Sequence, residues 1–244
     1  MFRAKFWPLI YVIVFIGTLI MNYLTSMNVG RVANQDQALI QPAGYAFSIW
    51  SLIYLLIIIW IIRLFFDQQQ DYGLTQGENL TFWPILNFIL NGLWIYVFTK
   101  NWKLASVIVI IALLLTLVII YRKISQYHND PFDRVVFGIY FAWVTVATIV
   151  NIFTYVKSLN VSNVLGMSEL TWTWVMLIVA TALCLYIAFK YHDFLYPLVF
   201  VWAFAAIYFE NQNSLLLMVL IGCMIVQVIT AITVLIRNLK NSQK

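Results

Sequence analysis

The chain has 244 residues; 64% are hydrophobic, only 9% are charged, and the mean hydropathy is +0.90. Soluble domains are about 45–50% apolar and about 25% charged, so a soluble fold of this length would have an oily exterior, and the apolar excess must face lipid. The net charge of +5 is spread singly or in pairs along short polar stretches, which excludes a nucleic-acid-binding patch and fits the basic loops of a membrane protein.

A helix needs about 20 apolar residues to cross the hydrocarbon core. Eight stretches qualify in chain order: Phe6–Ser26, Gly44–Phe66, Thr81–Thr99, Leu104–Tyr121, Arg134–Val156, Leu170–Phe189, Phe194–Phe209 and Ser214–Ile236, the seventh being the shortest. They are far longer than the spans of a β-barrel and lack alternating polarity. The expected fold class is therefore all-α, a polytopic transmembrane bundle of about eight spans. The first stretch follows a basic start with Arg3 and Lys5 but is too long for a signal-peptide core and has no small-x-small cleavage site, so it is expected to stay as a helix. Polar links fall at Asp67–Asn79, with Gly73 and Gly77, at Ser125–Asp133, with His128, Asn129, Asp130 and Pro131, and at Glu210–Asn213. Cys184 and Cys223 lie inside apolar stretches and read as small hydrophobes.

With eight spans both termini share a side. That side collects Arg3, Lys5, Arg63, Arg122, Lys123, Arg134, Lys190, Arg237, Lys240 and Lys244, against Arg31, Lys100, Lys103 and Lys157 on the other. The excess of basic residues places both termini in the cytoplasm, in a plasma (inner) membrane.

No charged residue lies near the middle of a span, and His128 and His192 fall in loops. Intramembrane charges mark proton relays and ion paths, so a pump or a retinal protein is not expected. Nucleotide-binding, hydrolase and metalloprotease motifs are missing too. The sequence thus points to no enzyme, no catalytic residue, no metal and no cofactor.

Aromatic residues make up 17% of the chain. Trp7, Trp83, Trp102 and Trp172 lie near span ends, as membrane-interface anchors do. Others line up with amides at helical spacing: Tyr11, Thr18 and Asn22; Phe47, Trp50 and Tyr54; Asn87, Asn91, Trp94 and Phe98; Tyr140, Trp143, Ala147, Asn151 and Thr154. At about 100° per residue each set occupies one helix face. An amide in hydrocarbon is costly without a partner, so these faces point inward. Two readings follow: packing surfaces with the Asn residues as interhelical glue, helped by the small pair Gly138 and Ala142, or a pocket for a planar apolar ligand.

The run Pro42-Ala43-Gly44-Tyr45-Ala46-Phe47-Ser48-Ile49-Trp50-Ser51-Leu52-Ile53-Tyr54 resembles the second-helix motif of the translocator protein family, the tryptophan-rich sensory or benzodiazepine-receptor-like proteins. Leu90-Asn91-Gly92-Leu93-Trp94 is similar to the family's third-helix motif, and Trp143, Ala147 and Asn151 to its fifth. The resemblance covers about residues 6–156, a five-helix core, and makes 157–244 a three-helix extension. It departs at Gly44, where the family often has Trp, and in a first loop that keeps only Pro42 of a proline pair. What the resemblance implies is a ligand cavity with Trp50, Tyr54, Asn91, Trp94, Trp143 and Asn151; spacing adds Phe47, Asn87 and Tyr140. It also implies a tetrapyrrole or sterol-like ligand and a sensor or translocator role. The alternatives are a transporter subunit for a small apolar solute and a non-catalytic membrane partner. The expected partners are the lipid bilayer and a second copy in a homodimer, with no nucleic acid.

Overall fold

The computed structural model describes residues 2–33, 35, 37–66, 80–128, 130–161 and 163–241. The glycine-containing link at 67–79 and Asn129 lie outside the described residues, as do the side chains of Arg3, Lys5, Arg31 and His128. Among the described residues there are eight α-helices: α1 (Phe2–Ala33), α2 (Ile49–Phe66), α3 (Phe82–Thr99), α4 (Lys103–Lys123), α5 (Pro131–Ser158), α6 (Glu169–Tyr191), α7 (Leu195–Glu210) and α8 (Ser214–Asn241). A 3₁₀ turn, Gly44–Ser48, leads into α2, and a π-helical turn, Ile124–His128, carries α4 into what the sequence presents as a loop. Among the described residues seven helices are long and apolar enough to cross a membrane; α7 is also apolar but has 16 residues.

Short polar side chains set the starts of three helices. Asp130 accepts from the backbone N–H groups of Phe132 (2.7 Å) and Asp133 (3.2 Å) at the start of α5, where Pro131 occupies the first turn. Asp193 does the same for Leu195 (2.8 Å) and Tyr196 (3.1 Å) ahead of α7, and Asn213 for Leu216 (3.1 Å) ahead of α8. Helices leave their first four N–H groups without intrahelical partners, which is why these residue types recur there. His192 closes α6 in the left-handed conformation (φ 54°).

The chain forms two compact units, residues 1–35 with 50–141 and residues 36–49 with 142–244, so that α5 contributes its first part to one and its remainder to the other. In the first unit α1 packs on α3, and α3 on α4. Gly92 lets the α1 and α3 backbones approach: a Cβ there would lie 3.6 Å from Thr18 Cα. The Thr18 hydroxyl donates to the Phe88 carbonyl across the same contact at 2.8 Å. In the second unit α6, α7 and α8 pack on one another. The segment before α2 is held on α7 by Ala43 N–H to the Ala206 carbonyl (3.1 Å), Trp202 Nε1 to the Ala46 carbonyl (3.2 Å) and Asn211 Nδ2 to the Leu39 carbonyl (3.0 Å).

Element ends meet in a consistent pattern within each unit. The end of α2 meets the start of α5 through Arg63 and Asp130, 2.9 Å apart. The segment before α2 meets the start of α6, where Leu39 N–H donates to Glu169 at 2.8 Å. The turn after α6 meets the end of α8, where Asn238 Nδ2 donates to the His192 carbonyl at 2.9 Å. Each meeting joins ends that lie on one side of a bilayer if successive helices alternate in direction.

Burial pushes the Asp130 carboxyl up, but the Arg63 hydrogen bond and the two capping N–H groups outweigh it and hold the acid below its ordinary range. A lowered folded-state value stabilises the fold above the ordinary carboxylate pKa of about 3.9, and that share is lost as pH falls through the folded value. Melting profiles between neutral and acid pH are expected to show this loss in the wild type and not in Asp130→Asn. Asp130→Ala, which also removes the cap, is expected to cost about 1 kcal/mol at neutral pH.

Candidate functional site

The first unit gathers most of the aromatic and amide residues singled out by spacing into one cluster. Asn91, 1% exposed, sits at its centre. Its Nδ2 donates to the Tyr140 hydroxyl at 2.8 Å, and its Oδ1 is 3.1 Å from the Tyr54 hydroxyl and 3.4 Å from Asn22 Nδ2. Tyr54 also reaches Asn22 Oδ1 at 2.9 Å. The rings follow the same arrangement: Trp50 stacks on Tyr54 (5.6 Å, 29°), tilts against Trp94 (5.7 Å) and meets Tyr140 edge to face (5.9 Å). Helical spacing explains this convergence. Trp50 and Tyr54 lie one turn apart on α2, Asn91 and Trp94 one turn apart on α3, and Tyr140 on α5 faces both.

Two polar atoms of this region stand out. Trp94 Nε1 is a buried N–H with no hydrogen-bond partner among the described residues. Asn87 lies one turn before Asn91; its Nδ2 donates to Thr116 at 2.8 Å, whereas its buried Oδ1 has no partner. Buried polar groups without partners are rare, and each calls for an explanation.

The remaining sequence candidates lie in the second unit. Phe47 meets Trp143 edge to face at 6.0 Å. Asn151 is buried two turns further along α5. Asn22 was visible on the α1 stripe and is a full member of the amide cluster.

Two hollows are lined by none of these nine residues. A groove of about 340 Å³ runs along the contact of α1 and α3, between Val14, Gly17, Thr18, Gly92, Leu93 and Tyr96. A crevice of about 240 Å³ lies between the end of α5 and the start of α6, walled by Ile152, Phe153, Val156, Val164, Trp172 and Met176. The sequence signal for the crevice is faint: one lysine, one glutamate and an apolar link between two spans.

Long apolar helices, interior amides bonded to neighbouring helices and, among the described residues, charges confined to helix ends define a polytopic integral membrane protein. The chain matches the family described as TSPO-like protein over residues 8–236. It belongs to that family, and the match reaches into each of the eight helices described. No curated protein and no solved structure matches it.

Proposed function

We propose that this protein is an intramembrane binding protein, not a catalyst, whose site is the cluster Trp50, Tyr54, Asn91, Trp94 and Tyr140, and whose ligand is a planar, largely apolar molecule such as a tetrapyrrole or sterol-like lipid. The observation that carries this reading is the unsatisfied N–H of Trp94 beside two stacked rings. Flat rings offer dispersion to a flat ligand, and a buried donor gains a full hydrogen bond when a ligand acceptor arrives. Trp50 is only half-buried, and a ligand would meet the cluster there. Both termini are assigned to the cytoplasmic side of the inner membrane, a reading supported by the Lys and Arg partition.

Titration of the purified protein with heme or protoporphyrin is expected to give saturable quenching of Trp fluorescence. Trp94→Phe keeps the ring and removes the donor, and is expected to weaken binding about tenfold. Linear, unsaturable quenching by tetrapyrroles and sterol analogues alike would overturn the reading.

A further inference from the structure

The crevice between α5 and α6 is built differently from the aromatic cluster. Its walls are aliphatic, with Phe153 and Trp172 as the rings. Its outer wall is a tight hairpin turn in which Val164 and Met167 exchange both backbone hydrogen bonds at 3.0–3.1 Å. Leu165 and Gly166 have positive φ values of 52° and 77°, the signature of a two-residue hairpin turn. Trp172 Nε1 donates to the Val164 carbonyl at 2.8 Å and ties this wall to α6. The outer wall of the hollow is therefore fixed by backbone and ring contacts. The tip residue, Leu165, is 85% exposed, an apolar side chain offered to the surroundings of the helix ends.

At the rim stands one ion pair, Lys157 in the last turn of α5 with Glu169 in the first turn of α6. Glu169 is held further by the Leu39 N–H at 2.8 Å. Both charges lie at the ends of membrane-spanning helices, the depth of lipid headgroups. An ammonium carries three donors and a carboxylate about four acceptor sites. Each rim group thus has capacity beyond its partner, with one positive and one negative centre side by side above an apolar slot.

We propose that this crevice holds an acyl chain of a zwitterionic phospholipid bearing a primary ammonium, with the lipid phosphate on Lys157 and its ammonium on Glu169. The paired rim charges match a headgroup that carries both signs. A purely anionic headgroup meets the carboxylate as well as the lysine. The site lies in the second unit and uses none of the residues assigned to the planar ligand.

Native mass spectrometry of the protein released from mixed vesicles of phosphatidylethanolamine and phosphatidylglycerol tests this. The wild type is expected to retain phosphatidylethanolamine about fivefold more than phosphatidylglycerol, the discrimination of a partly exposed charge contact. Lys157→Gln and Glu169→Gln are each expected to abolish the preference, and Lys157→Arg to restore it. Ile152→Trp fills the slot and is expected to remove the retained lipid in either case. Helix content by circular dichroism certifies that each variant is folded; a misfolded variant is replaced by Val156→Phe for the slot or by Lys157→Met or Glu169→Ala for the rim. Equal retention of both lipids, a preference for the anionic lipid, or unchanged retention in the slot-filling variant would each overturn the proposal.

Discussion

Trp60→Ala is expected to lower the stability of the detergent-solubilised protein by about 3 kcal/mol, read as a fall in thermal midpoint by near-ultraviolet circular dichroism. Trp60 is 1% exposed and among the largest fully buried side chains of the described residues. Its ring lies edge to face on Phe137 at 5.0 Å and tilts against Tyr11 at 5.5 Å, joining α1, α2 and α5 in the first unit. In soluble cores, truncating Trp or Phe to Ala costs about 3–5 kcal/mol, as transfer plus cavity terms. In a bilayer the transfer term shrinks, because lipid is as apolar as the core. What remains is dispersion lost around the void, and that sets the figure at the lower end of the range. Trp60→Phe, which keeps most of the volume, is expected to recover more than half of the loss.

Asn91→Leu is expected to cost about 2 kcal/mol, the second largest effect. Single interhelical hydrogen bonds in membranes average about 0.6 kcal/mol, so no one contact of Asn91 accounts for this. The substitution removes contacts to Tyr140, Tyr54 and Asn22 together. It also strands the Tyr140 hydroxyl, which is buried among rings, and a stranded buried polar group costs more than the mean bond. The two contributions separate in a double-mutant cycle. In a Tyr140→Phe background the Asn91→Leu cost is expected to fall by about half, since the stranded group is already gone. An additive cycle would assign the cost to packing alone.

Helix number was legible in the sequence because a bilayer demands long uninterrupted apolar runs, and nothing else in the chain mimics them. The faces were legible for a related reason. Asn22, Asn87 and Asn91 cannot meet hydrocarbon without partners, so their spacing told which side of α1 and α3 turns inward, and the bonds from Asn22 to Asn91 and from Asn87 to Thr116 follow. Family likeness was readable over residues 6–156, where the Trp50–Tyr54 and Asn91–Trp94 pairs form compact motifs, whereas the family match runs over residues 8–236. Helices α6 to α8 carry their bonding in scattered single residues, such as Gln227 Nε2 to Thr181 at 3.1 Å, which leave no local pattern.

The division of the aromatic residues was not legible. Tyr140 and Trp143 are one turn apart on α5, yet the first belongs to the compact unit containing Trp50 and the second to that containing Phe47. Periodicity places both on one face; their ring partners differ, Trp50 for Tyr140 and Phe47 for Trp143. The α5–α6 crevice was hidden for a different reason. Its outer wall depends on positive φ at Leu165, a residue that gives no turn signal of its own.

The shortness of α7 has a consequence for the surrounding bilayer. Sixteen residues span about 24 Å, against about 30 Å of hydrocarbon. One flank, with Tyr196, Phe200, Ala203 and Ile207, is covered by protein, while Leu198, Trp202 and Phe209 are exposed. Acyl chains against that exposed flank must shorten or splay to match it. Where α7 crosses the bilayer it therefore imposes a hydrophobic mismatch along that flank, and membranes of different thickness impose different elastic costs on the same fold.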